Sequence, residues 1–509
     1  MKRFFFPLLL AFGGFMVWSC ERPTNPVEEG TLSFSADTVL FDSIFTTILT
    51  PSERLIVSNF TGKAVNVSRI WLEKGADSEF NMIVDGIQKN DVEDVVIANK
   101  DSIHMFINLK SQLKDNFAEE YINFQVGDEI QQVLIRAFVI DAYFLRARIR
   151  QEQNFLNIDG FFFTKDTTLT PDKPIIMDGP IYIPEGVTVT VLPGTEIFFT
   201  PYQFGITDSF GSPTFGLYSM LFVDGTLKAE GEPGMPIEFK GSRLDSLYQE
   251  NPAQWRGIRF FKNSKDNILR HCRVKNALIG IEVDSISVNQ NPKVTIQYTE
   301  IKNMGAHGIV GVGVDPSGSV AGSAPAIFME NSIINTCKLR TLALIGGGKY
   351  SFYNCTFANY SIIRFSRRTP QMLLTNWFTF DGVTANIYEA YYQFTNCVIW
   401  GSEEDEIVLD TLSGNPFNSL RFDYSLVRVS EDYEVAIVPH LFNSTKNLDP
   451  QFNDFLYRDY RPKAGSPLIN TGLDTPPGSS GYNDDYRGRS DSLRYDGFDV
   501  GAWEYYELD

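Results

Sequence analysis

Short runs of alternating apolar and polar residues, separated by turn residues, cover most of the chain. Near the N-terminus, Val65 and Val67 alternate with Asn66 and Ser68, the pattern of a half-buried β-strand. Roughly seven such strands over 31–145 predict an immunoglobulin-like β-sandwich. The pattern has no 3.6-residue period, so a leucine-rich or helical solenoid is excluded.

A short phrase recurs six times in the second half of the chain. Each copy has a polar or aromatic residue, then Cys, Thr or Ser, then a variable residue, then Val, Ile or Phe. The intervals are 27, 33, 23, 42 and 28 residues, and coils of about 22–30 residues are typical of a parallel β-helix. We therefore predict a β-helix over 170–445 in which Cys272, Cys355 and Cys397 are buried structural thiols on an inner ladder of small residues. The copies begin at His271, Tyr298, Asn331, Asn354, Asn396 and Tyr424.

Three runs at the entry to this region are Gly225-Thr-Leu-Lys-Ala-Glu-Gly231, Pro236-Ile-Glu-Phe239 and Trp255-Arg-Gly-Ile-Arg-Phe260. Their succession resembles the surface lipoproteins of Bacteroidetes-type bacteria that carry a right-handed parallel β-helix of the pectate-lyase-like kind. The runs 460–472 and 498–504 resemble the closing segment of the same proteins. The resemblance implies an all-β chain: a sandwich, a linker over 146–169, a right-handed β-helix and a closing segment over 446–509. It implies no activity, because this fold carries lyases, hydrolases, adhesins and inert proteins.

The N-terminus has the form of an export signal. Lys2 and Arg3 precede an apolar run over 4–16, which is too short to span a bilayer. Ser19-Cys20 resembles a bacterial lipobox, which implies a signal peptide over 1–19, acylation (palmitate) of Cys20 and a polar tether over 20–30. We expect a protein anchored by lipid to the outer membrane of the cell envelope. An ordinary cleaved signal, or a buried cysteine at this position, is the alternative.

Charge narrows the list of partners. The 509 residues include 44 Lys and Arg against 63 Asp and Glu, a formal charge of −19. This charge excludes nucleic acid and membrane binding through a basic surface. Apart from the membrane that holds the anchor, the expected partners are a polysaccharide or other envelope proteins.

One basic segment stands out on this acidic chain. Arg364, Arg367 and Arg368 are candidates for binding an anionic sugar, with Tyr353 and Trp377 as aromatic surfaces for its rings. Lys338, Arg340 and Lys349 precede the segment. The alternative is a solvated loop whose arginines pair with local acids.

Catalytic chemistry has little support. Ala306-His307-Gly308 approximates the Gly-His-Gly of pectin hydrolases, but paired carboxylates are missing from the neighbouring coils. We expect His307 to lie in a long loop over 305–324.

Metal binding also has little support. Calcium is the one cofactor considered, because four C-terminal acids carry oxygen ligands; caps and pairing with arginines are the alternative. These acids are Asp484, Asp485, Asp496 and Asp499.

The sequence thus favours a lipid-anchored, non-catalytic recognition or structural protein that binds a glycan or an envelope partner. The alternative is a polysaccharide lyase or glycoside hydrolase acting on acidic glycans.

Overall fold

The structure is a computed structural model. The chain divides into two compact units, Met1–Asp141 and Ala142–Asp509. No helix among the described residues has both the length and the apolar character needed to cross a membrane. The structure describes residues 25–152, 155–201, 206–207, 213–214, 219–244, 248–314, 320, 322–362, 366–380, 382–412, 414–479, 486 and 497–506.

The first unit is a β-sandwich, as predicted. Alternating residues of two mainly antiparallel sheets, among them Val65 and Val67, form one buried core. One sheet has the order Ser33–Phe34, Glu53–Asn59, Asp101–Leu109, Phe80–Val84 and Ile87–Gln88. The other has the order Thr38–Leu40, Glu129–Ile140, Asn116–Val126, Val65–Leu72 and Asp91–Ile97, with Ile44–Phe45 beside Glu129–Ile140 and a 3-10 turn at Gly75–Asp77.

The second unit is a parallel β-helix, which confirms the predicted fold class. Each coil passes in turn through three parallel sheets, here named A, B and C. Sheet A contains Tyr143–Arg146, Ile175–Asp178, Glu196–Phe199, Ile237–Gly241, Cys272–Lys275, Glu300–Met304, Ile333–Cys337, Thr356–Asn359, Val398–Gly401, Leu426–Val427 and Thr445–Lys446. Sheet B contains Phe161–Phe162, Pro180–Ile183, Met220–Val223, Gly257–Phe260, Ile279–Asp284, His307–Val312, Arg340–Ile345, Met372–Thr375 and Ile407–Asp410. Sheet C contains Thr167–Leu169, Thr188–Val191, Thr226–Glu230, Asn267–Arg270, Val294–Gln297, Ile327–Glu330, Gly348–Tyr353, Ala390–Thr395, Ser419–Asp423 and Leu441–Phe442.

Smaller elements decorate the coils. The described helices of this unit are Glu431–Ile437 and the 3-10 turns Val438–His440 and Phe455–Tyr457. The two-stranded pairs are Arg148–Glu152 with Phe155–Asp159, Ile206–Thr207 with Pro213–Thr214, Trp377–Thr379 with Ala385–Ile387, and Phe452–Asp454 with Asp459–Pro462.

The repeated phrase forms the corner between sheets C and A. Its first residue has a positive φ in all six copies, from 45° at His271 to 54° at Asn396. This left-handed conformation bends the chain from sheet C into sheet A within one residue, and Asn adopts it at low cost. A seventh copy, Asn443-Ser444, has the same conformation, with a φ of 50° at Asn443.

The small residue that follows each corner builds the predicted inner ladder. Thr299 Oγ1 accepts a hydrogen bond of 3.2 Å from the Cys272 backbone N–H, one coil away. Ser425 Oγ accepts one of 3.0 Å from the N–H of Cys397. Cys272, Cys355 and Cys397 are buried and unpaired in disulfides, so the prediction of structural thiols is confirmed.

The predicted linker over 146–169 is wrong. Tyr143–Arg146 already pairs with Ile175–Asp178 in sheet A, and Phe161–Phe162 and Thr167–Leu169 begin sheets B and C. The first coil lacks the repeated phrase, so the sequence pattern did not reveal it.

The C-terminal residues run back over the outer face of sheet A. That face is charged in the first coils, where Lys240 lies between Glu196 and Glu238, and apolar in the later ones, where Val398 and Leu426 point outward. The apolar part is buried by Phe452, Tyr460, Leu468, Val500 and Ala502. The closing segment therefore acts as a cover for this sheet.

Candidate functional site

Arg367 does not face solvent. It is 4% exposed, and its Nη1 and Nη2 donate to Glu406 Oε2 and Oε1 at 2.8 and 2.7 Å. Glu406 also accepts from the backbone N–H groups of Gln371 and Glu403 at 3.1 and 3.0 Å, so it accepts four hydrogen bonds. Burial raises the pKa of Glu406, whereas Arg367 acts to lower it. The prediction that Arg367 binds a ligand is therefore wrong, because the side chain is buried and its Nη1 and Nη2 donate to Glu406 and to backbone carbonyls.

The other candidates of the basic segment are not brought together. Arg364 lies outside the described residues, and Arg368 is exposed. Tyr353 is 2% exposed and donates from its hydroxyl to the Pro477 carbonyl at 3.2 Å, beneath the C-terminal segment. Burial raises the pKa of this hydroxyl to about 12. Trp377 is half-buried at the start of a separate hairpin. Tyr353 is thus closed to a ligand.

His307 also differs from expectation. It begins the sheet B strand His307–Val312, between Ile279 of the coil before and Arg340 of the coil after, so it is not a loop residue. The Gly-rich sequence that suggested a loop instead supplies Gly308 and Gly311, at which a Cβ would come within 3.0 Å of neighbouring atoms.

Of the four C-terminal acids considered as calcium ligands, only Asp499 lies among the described residues. Asp499 is 2% exposed and accepts hydrogen bonds from the backbone N–H groups of Asn470 and Tyr505 at 2.8 and 2.6 Å. It is thereby used as a structural cap. Asp484, Asp485 and Asp496, like Cys20, lie outside the described residues. Within the described ranges, no group of three or more His, Cys, Asp or Glu is arranged to hold a metal ion.

A groove lies beside the last coils, where the chain leaves sheet A (the Trp400 groove). Its volume is about 540 Å³, within the range of ligand sites. It is formed by the ends of two sheet A strands and the first turn of helix Glu431–Ile437. Its lining residues are Trp400, Glu404, Arg428, Val429, Ser430, Glu431, Asp432 and Asn447.

The repeat positions the aromatic and cationic groups of this groove. Trp400 and Arg428 each follow their left-handed corner by four residues, so Trp400 lies on the outer face of one strand and Arg428 directly follows the next. The Arg428 guanidinium carbon is 5.2 Å from the centroid of the Trp400 ring, a cation–π contact. Arg428 Nη1 also donates to the Gly401 carbonyl, which fixes its orientation over the indole.

The rim of the groove is held by hydrogen bonds. Asp405 accepts from the backbone N–H and the hydroxyl of Ser430 at 2.7 and 2.9 Å. Asn447 Oδ1 accepts from the N–H of Val429 at 3.0 Å. The helix start and the last coil are thus fixed before any ligand binds.

Three carboxylates remain directed to water. Glu404, Glu431 and Asp432 are exposed and face a single arginine of the groove, Arg428. Carboxylates accept hydrogen bonds, and an arginine donates them, so this lining suits a ligand rich in hydroxyl groups. The excess of negative charge disfavours a polyanion here.

Sequence reasoning missed this groove although the signal was present. Trp400 and Arg428 each stand at the fifth position of a repeated phrase, so the coil register places their side chains side by side. Glu404, Glu431 and Asp432 lie in connections outside the phrase, and no repeat indicates their placement.

Comparisons with known proteins add little. No family model matches the chain, and no curated protein matches it. A solved structure of the E. coli chaperone DraB is similar at 13% identity and a TM-score of 0.16, covering 25% of this chain and 68% of that chain. The catalytic unit of a thermostable GH87 α-1,3-glucanase from Streptomyces thermodiastaticus strain HF3-3 is similar at 8% identity and a TM-score of 0.26, covering 74% and 75% of the two chains. The fold assignment accordingly rests on the strand register of the chain itself.

Proposed function

We propose that this chain is a surface lipoprotein whose β-helix binds a glycan without cleaving it. In this proposal Cys20 carries the acyl anchor in the outer membrane, and the immunoglobulin-like sandwich follows the anchor and its tether along the chain. The Trp400 groove carries the binding function.

The observation that supports glycan binding is the composition of the Trp400 groove. The Trp400 ring is 8% exposed and packs with the residues that cover sheet A, and it forms a wall of the groove beside the Arg428 guanidinium, a hydrogen-bond donor. Three exposed carboxylates provide acceptors around it. This combination matches the alternating C–H and O–H surface of a sugar, and the surplus of acid favours neutral or amino sugars over acidic ones.

The exposure of the same carboxylates favours binding over hydrolysis. A glycoside hydrolase needs one carboxylic acid that stays protonated near neutral pH, and enzymes obtain it by desolvation. Glu404, Glu431 and Asp432 are all open to water.

A glycan array combined with a reducing-end assay on the same sugars tests this proposal. We expect neutral or amino glycans to bind the wild-type protein with no new reducing ends. Trp400→Ala should weaken binding about tenfold or more, because the aromatic surface is lost. Trp377→Ala is the matched control, since Trp377 is half-buried and does not line the groove.

Two results would contradict the proposal. Turnover of any glycan that disappears in Glu431→Gln or Asp432→Asn would establish the hydrolase alternative. Equal glycan binding by wild type and Trp400→Ala would show that the groove is not the site.

A further inference from the structure

The outer face of one sandwich sheet is unusually apolar. In the strand Glu129–Ile140, residues that point into the core, such as Val133, alternate with residues that point outward. Three of these outward residues, Ile130, Leu134 and Phe138, are apolar as well. An antiparallel sheet with one face in water normally alternates apolar inward residues with polar outward ones. This strand instead has the composition of one that is covered on both sides.

The neighbouring strands extend the apolar surface. Phe117 lies directly opposite Phe138 with ring centroids 5.1 Å apart, and Tyr121 lies opposite Leu134. Leu40 adjoins on the other side of the same strand and is 66% exposed. We call this surface the sandwich aromatic face. Its apolar members are Leu40, Trp71, Phe117, Tyr121, Ile130, Leu134 and Phe138.

Two arginines on this face are paired with carboxylates. Arg136 Nε lies 3.3 Å from a carboxylate oxygen of Glu119. Arg69 donates to both carboxylate oxygens of Asp91 at 2.9 and 2.7 Å, and its guanidinium carbon lies 4.8 Å from the centroid of Trp71. Each pair is neutral, so neither adds to the repulsion that the overall charge of −19 creates at an anionic surface.

The other sheet of the sandwich provides a comparison within the same unit. The outward residues of its central strand Asp101–Leu109 are Ser102, His104, Phe106 and Asn108, and three of these are polar. The sandwich fold therefore does not by itself require an apolar outer face.

The acyl anchor proposed above limits the distance between this unit and a bilayer. Val27 is fixed to the sandwich, because its N–H donates to the Ala64 carbonyl at 2.8 Å and its carbonyl accepts from the Asn66 N–H at 2.9 Å. Val27 follows Cys20 by seven residues, and an extended chain spans at most about 3.6 Å per residue. The sandwich is thus attached within about 25 Å of the acylated cysteine, which is shorter than a strand of twelve residues.

We propose that the sandwich aromatic face lies against the lipid surface in which Cys20 is anchored. Trp71 and Tyr121 suit the boundary between headgroups and acyl chains, where Trp and Tyr are enriched, and arginines reach the headgroups from there. A short tether gives an effective concentration in the millimolar range, so weak apolar contacts are sufficient. The inference rests on the acyl anchor of the proposed function, and it gives the sandwich the role of orienting its own unit on the membrane.

Fluorescence quenching by brominated lipid tests this contact. Residues 20–509 are coupled through Cys20 to a maleimide-bearing lipid in phosphatidylcholine vesicles, since the other four cysteines are buried. Brominated acyl chains quench tryptophans that contact the bilayer. We expect the emission of Trp71, measured as the difference between wild type and Trp71→Phe, to fall about twofold or more. Trp377→Phe is the matched control, because Trp377 is also half-buried and its loss should leave the quenched component unchanged.

Two glutamate substitutions separate the face from the rest of the unit. Leu40→Glu adds a charge at an exposed position of the face, so the fold is retained and the quenching of Trp71 should fall about twofold or more. Ile87→Glu adds the same charge at a 49% exposed position on the edge of the other sheet and should leave the quenching unchanged.

Three results would overturn the lipid contact. The first is the absence of Trp71 quenching in the coupled wild-type protein. The second is an equal loss of quenching in Leu40→Glu and Ile87→Glu. The third is a dimer in solution that Leu40→Glu disperses and Ile87→Glu does not, which would assign the face to a second copy of the chain. Natural acylation is tested separately by detergent partitioning of Cys20→Ala, whereas this assay supplies the lipid chemically, so either proposal can fail alone.

Discussion

Replacing Arg367 by methionine tests most directly whether this arginine is a structural or a ligand-binding residue. The substitution keeps the length of the side chain and removes two of the four hydrogen bonds that Glu406 accepts. It also removes the donors to the carbonyl groups of Asn359 and Thr369. Glu406 is 0% exposed, so it would be left as a buried charge held only by two backbone N–H groups.

The expected cost is large. Removing one partner of a buried ion pair typically destabilises a protein by about 3–5 kcal/mol. We expect a cost in this range for Arg367, because both side chains of the ion pair are at most 1% exposed. The exposed neighbour Arg368 is the control, and Arg368→Met should change the free energy of unfolding by less than about 0.5 kcal/mol.

The pH dependence provides a second signature. Burial raises the folded-state pKa of Glu406, and loss of Arg367 removes the group that opposes this rise. A carboxyl group whose folded pKa exceeds its unfolded pKa destabilises the fold at high pH, and this cost vanishes as the pH falls below the unfolded value. The difference between wild type and Arg367→Met should therefore be smaller at about pH 5 than at about pH 7.5.

Urea unfolding followed by tryptophan fluorescence measures these differences, with the sandwich unit as an internal reference. A loss of less than about 1 kcal/mol in Arg367→Met, together with weakened binding of an anionic sugar, would refute the structural role. It would restore the interpretation of Arg367 as a ligand group.

The described contacts and the N-terminal pattern give four further predictions. Cys20→Ala should leave the detergent phase on phase separation, whereas equal partitioning of wild type and variant would contradict acylation of Cys20. The four buried cysteines should resist alkylation until the protein is denatured, and rapid labelling of the folded protein would contradict the ladder. Cys355→Ser should cost about 1 kcal/mol or less by urea unfolding, because Ser425 on the same ladder donates to the carbonyl two residues earlier, as Cys355 does. Asn396→Ala should cost about 2–4 kcal/mol and expose the C-terminal segment to proteolysis. Asn396 exchanges hydrogen bonds of 2.7 and 2.9 Å with the backbone of Leu473, and its backbone has a φ of 54°. Unchanged cleavage would show that the apolar cover alone holds the segment.

The repeated phrase was sufficient to predict the β-helix. Its first residue needs a left-handed backbone, its second a small side chain and its fourth an apolar one, and all three demands act within a few residues. The corners at His271 and Asn396 could therefore be located from the sequence. The burial of the Cys397 thiol could be predicted in the same way. The sandwich was predicted for the same reason, because strand alternation is also local.

The placement of outward-facing groups was decided by the tertiary structure. Arg367 and Glu406 are 39 residues apart, and Arg340 meets His307 only because two coils of different length are stacked in register. Insertions between coils change the spacing in sequence without changing the distance between strands, so sequence spacing does not reveal which side chains adjoin. Outward positions are also free of the packing demands of the core, so outside the repeated phrase, which places Trp400 and Arg428, no pattern marks them. The C-terminal cover illustrates this limit: Asn396 and Leu473 are adjacent in space because an apolar sheet face had to be buried, and only the folded coils create that face.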